Sequence, residues 1–228
     1  MQPAPTEAPA DAPREAVDAA SFVLSLRARG IRDTAVLSAM ERVRRELFAP
    51  RRFADLARTD VSLPLPCGQT MTAPSAVAAM LVALGAEPGQ RVLEIGTGSG
   101  YVTALLSRML CRVVTVERYE ALAEEAQIRL GIAGLDRDVE IGVGNGLRLD
   151  LGAERFDRVL VNGAVPALPA AVTDLIGDGG RLVGGLSLDG FPRLVRIERG
   201  EGGLTHVLGG PLRLAPLVGG RRAPALAA

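Results

Sequence analysis

Residues 92–101 read Val92-Leu93-Glu94-Ile95-Gly96-Thr97-Gly98-Ser99-Gly100-Tyr101, and this stretch decides the fold. An apolar segment, 92–95, runs directly into three glycines at alternate positions, and a run of residues suited to a helix follows from Tyr101. Glycine lets the backbone turn sharply and lets a ligand come close, because it has no Cβ atom. A strand, a glycine turn and the start of a helix together indicate a nucleotide-binding corner in an open α/β sheet.

The spacing of the glycines and two nearby acids indicate which nucleotide binds there. Gly-x-Gly-x-Gly differs from the Gly-x-Gly-x-x-Gly of dinucleotide-binding proteins, and no Lys-Ser or Lys-Thr pair follows it as in a phosphate-binding loop. Glu94 would repel a pyrophosphate, but it suits a ligand that has a cationic end and no phosphate. Glu117 ends the next apolar segment, 113–116, where an acid can accept hydrogen bonds from both ribose hydroxyls. These features favour S-adenosyl-L-methionine as cofactor; the alternative is a glycine-rich turn without a ligand.

The composition is typical of a soluble enzyme. The chain has 228 residues, of which 48% are hydrophobic, and 26 basic residues balance 26 acidic ones. A net charge of zero gives no sign of nucleic-acid binding. The longest apolar run, 73–86, is too short to span a bilayer, and the chain does not begin like a signal peptide. Because its two cysteines form no disulfide framework, we expect a cytoplasmic protein.

We expect one domain between two tails. The domain covers 16–218, with a helical and substrate-loop part over 16–89 and a cofactor-binding sheet over 90–218. The Pro/Ala-rich segment 1–15 is predicted to be disordered, and 219–228 to be a flexible tail. No apolar surface stripe is evident outside the predicted core, so we expect a monomer.

The N-terminal part is predicted to be helical. Apolar residues at helical spacing predict helices over 17–29 and 34–47, and the second helix carries a basic face that we expect to be solvated. That face consists of Arg42, Arg44 and Arg45. Prolines at alternate positions favour an extended chain over 60–73, before a third helix that ends at Leu84.

Strand and helix patterns then alternate. Strands are predicted at 91–95, 112–116, 139–143, 155–161 and 181–186, and helices at 101–110, 119–130 and 168–176. Strands separated by helices of this length indicate an α/β fold, a Rossmann-like parallel sheet with helices on both faces. Alternating residues at 194–198 and 204–207 predict a C-terminal antiparallel hairpin.

Two loops complete the predicted pocket. Gly144-Asn145-Gly146 follows the third strand of the sheet, and the Asn145 carbonyl oxygen could accept a hydrogen bond from an adenine amino group. The alternative is an ordinary Asn-Gly turn. Small residues over 161–166, including Ala164 and Val165, leave room for a methyl acceptor, unless they form a simple strand-to-helix turn.

Four motifs carry a resemblance to a known family. Gly-Gln-Thr-Met-Thr-Ala-Pro (68–74), Val-Leu-Glu-Ile-Gly-Thr-Gly-Ser-Gly-Tyr-Val-Thr-Ala (92–104), Val-Gly-Asn-Gly (143–146) and Gly-Gly-Arg-Leu-Val (179–183) occur in this order. Over roughly 22–217 the chain resembles the protein-L-isoaspartate O-methyltransferase family. The resemblance implies methyl transfer from S-adenosylmethionine to the free carboxylate of L-isoaspartyl residues in damaged proteins. The methyl ester then closes to a succinimide, which initiates repair.

The resemblance also assigns roles to residues. It implies a catalytic hydroxyl at Thr72 that orients the acceptor carboxylate, with Gln69, Thr70 and Met71 closing the pocket; the alternative for Thr72 is a helix N-cap. The expected cofactor-binding residues are Gln69, Thr70, Met71, Glu94, Gly96, Thr97, Gly98, Ser99, Gly100, Glu117, Arg118, Gly144, Asn145 and Gly146. The expected substrate-binding residues are Leu65, Thr72, Ala164 and Val165, and no metal site is expected.

Three positions depart from the family pattern. The family usually has an acid at Asn145, a histidine at Ser75 and a serine at Thr72. These departures do not change the prediction of the cofactor, but they leave the identity of the methyl acceptor undecided. The alternatives are a carboxylate O-methyltransferase of the same fold, acting on a peptide aspartate or a small metabolite, and a non-catalytic cofactor-binding module.

Overall fold

The computed structural model describes residues 12–149 and 151–218. Its helices are α1 (Ala12–Ala28), α2 (Thr34–Arg42), α3 (Pro74–Leu84), α4 (Tyr101–Arg108), α5 (Glu120–Ala133) and α6 (Ala170–Thr173). Its strands are β1 (Leu63–Pro64), β2 (Thr70–Met71), β3 (Arg91–Ile95), β4 (Arg112–Glu117), β5 (Val139–Val143), β6 (Phe156–Val165), β7 (Ile176–Leu188), β8 (Phe191–Gly200) and β9 (Gly203–Pro211).

The strand order of the main sheet creates a crevice at its centre. The order is β5-β4-β3-β6-β7-β8-β9, with β3 to β7 parallel and β8 and β9 antiparallel. The chain runs outward from β3 to β5 and then returns to β6 on the other side of β3. Ligands of open α/β sheets bind where the strand order reverses, at the carboxyl ends of the strands. That point lies between β3 and β6.

The predicted fold class, a Rossmann-like α/β sheet with a C-terminal antiparallel hairpin, is confirmed. The hairpin is formed by β8 and β9, which pair from Arg193 with Pro211 to Gly200 with Gly203. The segment 60–73 is extended only in part: β1 and β2 pair as a short antiparallel ladder, but a 3₁₀ turn over Pro66–Gly68, with Cys67 at φ 59°, interrupts the extended chain between them. The helix predicted over 168–176 is wrong in length, because α6 covers four residues and β7 already begins at Ile176.

One continuous hydrophobic core joins the N-terminal helices to the sheet. Leu26 of α1, Leu84 of α3 and Leu105 of α4 are completely buried in it, together with Phe48. A second cluster on the opposite face of the sheet centres on the buried side chains of β6 and β7. Because α1 to α4 share the first core, the extended segment before α3 has a fixed position relative to the sheet.

The predicted tails fall largely outside the described residues. This holds for 219–228 and for 1–11, whereas 12–15 belong to α1. Within the described residues, none of the helices has the length and apolar character needed to cross a membrane.

The buried position of Arg45 contradicts the predicted basic face. The predicted helix over 34–47 is too long: α2 ends at Arg42, because Val43 is extended, with φ −87° and ψ 109°. A 3₁₀ turn then directs the Arg45 guanidinium inward, where it donates to the carbonyls of Ala57, Val61 (3.4 Å) and Thr72 (2.9 Å). Arg42 and Arg44 are exposed as expected.

Replacing Arg45 should therefore cost far more stability than replacing Arg44. We expect Arg45→Ala to lower the free energy of unfolding by about 3 kcal/mol, since three backbone carbonyls lose a charged donor. The Arg44 side chain is 54% exposed and forms a surface ion pair with Glu15 (2.8 Å). Arg44→Ala should therefore change the free energy of unfolding by less than about 1 kcal/mol. Urea unfolding of both variants measures the difference, and equal losses would contradict the structural role of Arg45.

Candidate active site

The glycine turn after β3 has the conformation that only glycine adopts easily. Gly96 and Gly100 have φ angles of 97° and 84°. A Cβ atom on Gly96 would lie 3.3 Å from the Asn162 carbonyl oxygen, and one on Gly100 would lie 3.1 Å from the Ala126 Cβ. The turn therefore packs closely against β6 and α5, and α4 begins directly after it.

A cavity opens at the carboxyl ends of β3, β4 and β6, and most of the predicted site residues line it. Those residues are Gln69, Thr70, Met71, Thr72, Gly96, Thr97, Gly98, Ser99, Glu117, Arg118, Gly144, Asn145 and Gly146. Five others stand back from its wall, namely Leu65, Glu94, Gly100, Ala164 and Val165. The cavity thus brings together the glycine turn, the end of β4, the loop after β5 and the segment before α3.

Glu117 is held rigidly at the end of β4. Its two carboxylate oxygens accept hydrogen bonds from the backbone N–H groups of Gly98 (2.8 Å) and Tyr119 (2.9 Å). The side chain is 5% exposed and lies in the cavity wall. Because a carboxylate has about four acceptor positions, two backbone bonds leave capacity for a ligand with hydroxyl groups.

Glu94 lies beneath the cavity instead of in its wall, because the alternation of β3 directs its side chain toward α4. It is fully buried, and it accepts hydrogen bonds from the hydroxyls of Thr103 (2.5 Å) and Thr115 (2.9 Å) and from Asn162 Nδ2 (3.3 Å). Burial raises the pKa of this carboxyl group to about 7, although the three donors oppose the shift. Glu94 is therefore placed to support the glycine turn, and its direct contact with the cofactor stays a prediction.

Asn145 forms the Asn-Gly turn that was the alternative, and its contact with an adenine stays a prediction. It lines the cavity, and its side-chain oxygen also accepts from the Leu147 backbone N–H (3.1 Å), which caps a short 3₁₀ helix. The following Gly146 is required, because a Cβ there would clash with Ile95 Cγ2. The loop is an Asn-Gly turn that also forms a cavity wall.

Thr72 lies in the cavity wall and does not cap a helix. The N-cap residue of α3 is Ala73, which makes no side-chain cap hydrogen bond. The Thr72 hydroxyl lies 3.5 Å from Asn162 Oδ1, and its carbonyl accepts from Arg45. Its side chain therefore faces β6 across the cavity, while Arg45 fixes its backbone from below.

Two parts of the site were not predicted from the sequence, and the first is Asn162. Asn162 was expected to be one of several small residues at the end of β6, but its amide lines the cavity. It contacts both Glu94 and Thr72. A polar residue among Gly163, Ala164 and Val165 was the signal that could have identified it.

The second missed part is the segment after β9, residues 215–218, which lies across the cavity. Ala164 donates its N–H to the Ala215 carbonyl and accepts from the Leu217 N–H, both at 2.8 Å. The Val218 carbonyl accepts from Arg118 (3.1 Å). This segment covers Ala164, whereas Val165 is buried in the second hydrophobic cluster, so neither of these two predicted substrate contacts is exposed in the cavity. Nothing local in the sequence indicates such a long-range contact.

Comparisons with known proteins agree on one family. The model of the family described as protein-L-isoaspartate(D-aspartate) O-methyltransferase matches residues 18–221. A protein-L-isoaspartate O-methyltransferase from Xanthobacter autotrophicus is 44% identical over 92% of this chain and 95% of its own length. A homologue of the same name from Azorhizobium caulinodans is 43% identical over 92% and 97%, respectively.

Solved structures show the same fold. A protein-L-isoaspartate O-methyltransferase superimposes with a TM-score of 0.77 at 22% identity, over 88% of this chain and 66% of that one. A Plasmodium falciparum protein that carries the same family name, solved with S-adenosyl-L-homocysteine, has a TM-score of 0.76 at 22% identity. That match covers 87% of this chain and 97% of the other.

The raised pKa of Glu94 predicts a pH-dependent stability. Between the ordinary pKa of 4.5 and the folded value of about 7, the folded protein holds a proton that the unfolded chain has lost. Stability therefore falls as the pH rises through this window, by up to about 3 kcal/mol. Since Glu94→Gln cannot ionise, we expect this variant to gain stability relative to the wild type between about pH 5 and about pH 8.

Urea unfolding at a series of pH values measures this difference. Glu124→Gln, an exposed substitution on α5, is the matched control and should follow the wild type throughout. If the wild type and Glu94→Gln kept a constant difference across the series, Glu94 would have an ordinary pKa.

Proposed function

The chain belongs to the protein-L-isoaspartate(D-aspartate) O-methyltransferase family, and we propose that it methylates the free carboxylate of L-isoaspartyl residues in damaged proteins with S-adenosyl-L-methionine as methyl donor. The observation that carries this proposal is the position of the Thr72 hydroxyl in the same cavity as the glycine turn and Glu117. The methyl ester is a better electrophile than the free carboxylate, so the next backbone nitrogen attacks its carbonyl carbon and expels methanol, which gives a succinimide. Its hydrolysis partly restores aspartate, so the biological outcome is protein repair.

The residues of the cavity fit this cofactor. Gly96, whose positive φ and close contacts exclude a side chain, lets the backbone approach a ligand. Glu117 offers carboxylate oxygens to a ribose diol, and Gly144, Asn145 and Gly146 form the wall proposed for the adenine. Arg118 is the one cationic side chain among the described residues of the wall, as expected for a ligand without phosphates.

The acceptor chemistry requires positioning but no general base. When bound, the cofactor supplies an electrophilic methyl group on a sulfonium. The carboxylate of an isoaspartyl residue is already ionised near pH 7, since carboxyl groups have pKa values of about 4. The task of the protein is to align the two groups and to keep water out. No group of metal-binding side chains occurs among the described residues, and this reaction needs none.

Thr72 has the role of orienting the acceptor. Its hydroxyl can donate a charge-assisted hydrogen bond to one carboxylate oxygen, which leaves the other free to attack the methyl group. Met71, which is 3% exposed, and Leu217 supply apolar walls on either side of the cavity. In this arrangement the acceptor side of the cavity is supported by three residues that do not line it directly, namely Leu65, Ala164 and Val165.

We further propose that the enzyme acts as a monomer in the cytoplasm. The supporting observation for the compartment is that Cys67 and Cys111 are unpaired. The partners are then damaged polypeptides, recognised one at a time.

The acceptor specificity is tested with two matched peptides that differ only in isoaspartate or aspartate. With labelled S-adenosylmethionine, we expect label in the isoaspartyl peptide alone. Label in the aspartyl peptide would favour a peptide-aspartate methyltransferase, and binding of S-adenosylhomocysteine without turnover of either peptide would exclude the repair activity.

Thr72→Val should reduce kcat on the isoaspartyl peptide by about 100-fold, because the variant keeps the shape of the side chain but loses the donor. Binding of S-adenosylhomocysteine should remain close to that of the wild type. Thr205→Val, an exposed change on β9, controls for the loss of a threonine hydroxyl elsewhere. Full activity of Thr72→Val would show that this hydroxyl does not orient the acceptor.

Glu117→Gln should weaken binding of S-adenosylhomocysteine by about 10-fold, because neutral hydrogen bonds are roughly half as strong as charge-assisted ones. Titration calorimetry measures the Kd, with Glu124→Gln as the matched surface control. An unchanged Kd would place the ribose away from Glu117.

A further inference from the structure

The side chain of Asn162 joins the two halves of the proposed reaction centre. On the cofactor side, its Nδ2 group donates to the Gly96 carbonyl (3.1 Å) and to Glu94 Oε1 (3.3 Å). On the acceptor side, its Oδ1 accepts from the Thr72 hydroxyl (3.5 Å). These three contacts engage both N–H groups and the oxygen of the amide, across β3, β6 and the segment before α3.

The orientation of this amide is fixed by its surroundings. The Gly96 carbonyl can only accept a hydrogen bond, so the NH₂ group must face β3. The oxygen must then face Thr72, and the Thr72 hydroxyl is the donor in this pair. A flipped amide would place its oxygen against the Gly96 carbonyl oxygen and leave buried hydrogen-bonding groups without partners.

The contact with Thr72 is long, and this has a chemical consequence. A neutral hydrogen bond at 3.5 Å is weak, so it aims the hydroxyl without holding it firmly. An incoming carboxylate offers a charge-assisted bond that is roughly twice as strong. The Thr72 hydroxyl can therefore exchange its hydrogen bond to Asn162 for one to the acceptor carboxylate at little cost in free energy.

We propose that Asn162 is a positioning residue of the methyl transfer: it aims the Thr72 hydroxyl at the acceptor and ties this hydroxyl to the glycine turn that holds the cofactor. This inference rests on the proposed function, because it assigns Asn162 to the same reaction. The two reactants are bound by different segments, which are far apart in the chain. Asn162 sets their relative position, and an error of about 1 Å in such a position can cost about 100-fold in rate.

A double-mutant cycle tests the inference. Asn162→Ala should lower kcat on the isoaspartyl peptide by about 10-fold to 100-fold, with a small change in KM and in S-adenosylhomocysteine affinity. If Asn162 acts through Thr72, Asn162→Ala should have little further effect in the Thr72→Val background. Thr173→Ala, which removes a buried hydroxyl outside the cavity, controls for the loss of a polar contact and should keep the wild-type kcat.

Asn162→Asp gives an independent test through pH. A protonated aspartic acid can donate toward Gly96 and accept from Thr72, as the amide does, whereas an ionised one faces Glu94 of β3 and, beyond it, Glu117 of β4. Its kcat relative to the wild type should therefore rise as the pH falls from about 8 to about 6, because neighbouring carboxylates favour protonation. In the Thr72→Val background, the kcat of the double mutant relative to that of Thr72→Val alone should not change with pH.

The outcomes separate this inference from the proposed function. If the wild type fails to methylate the isoaspartyl peptide, the proposed function is wrong. If the wild type is active, the inference is overturned either by a wild-type kcat of Asn162→Ala or by additive losses in the double mutant. Should Asn162→Ala not fold, Asn162→Ser replaces it in the same cycle, since a serine side chain is too short to reach Thr72.

Discussion

The rest of the site depends on the buried carboxyl group of Glu94. Its oxygens receive hydrogen bonds from α4 through Thr103, from β4 through Thr115 and from β6 through Asn162, so one side chain of β3 holds three neighbouring elements around the glycine turn. The Thr115 hydroxyl also contacts the Thr97 hydroxyl (2.7 Å), which extends the network into the turn itself. Burying a carboxyl group is costly unless its oxygens are bonded. The three donors offset this cost, and the pKa of about 7 shows that the offset is incomplete.

Features with a local cause could be predicted from the sequence. The alternating apolar strands, the glycine turn and Glu117 at the end of β4 all follow from short-range patterns, and the structure places them as expected. Residues 69–72 also line the cavity, because Pro74 begins α3 directly behind them. In each case a few neighbouring residues determine the backbone, and the parallel sheet then brings the strand ends together.

Features that depend on distant partners could not be predicted. The helical spacing of 34–47 predicted that Arg45 lies on a solvated face. Its guanidinium is instead buried, because it donates hydrogen bonds to the carbonyls of Ala57, Val61 and Thr72. The sequence did not indicate that Glu94 lies beneath the cavity, where it accepts a hydrogen bond from Thr103 of α4. The segment 215–218 reaches the cavity through its pairing with Ala164 and its contact with Arg118. These contacts join segments far apart in the sequence, and periodicity carries no information about them.

An enzyme of this kind accelerates its reaction by positioning the methyl donor and the acceptor. In this protein, the residues that position them also stabilise the core. The acceptor is already an anion and the donor a cation, so the protein contributes distance, direction and the exclusion of water. Arg45 fixes the backbone of Thr72, Asn162 aims its hydroxyl, and Glu94 fixes Asn162. This series of hydrogen bonds runs from the core to the proposed point of reaction. Because every member of the series also has a buried partner, the geometry of the site cannot relax unless the packing beneath it relaxes as well.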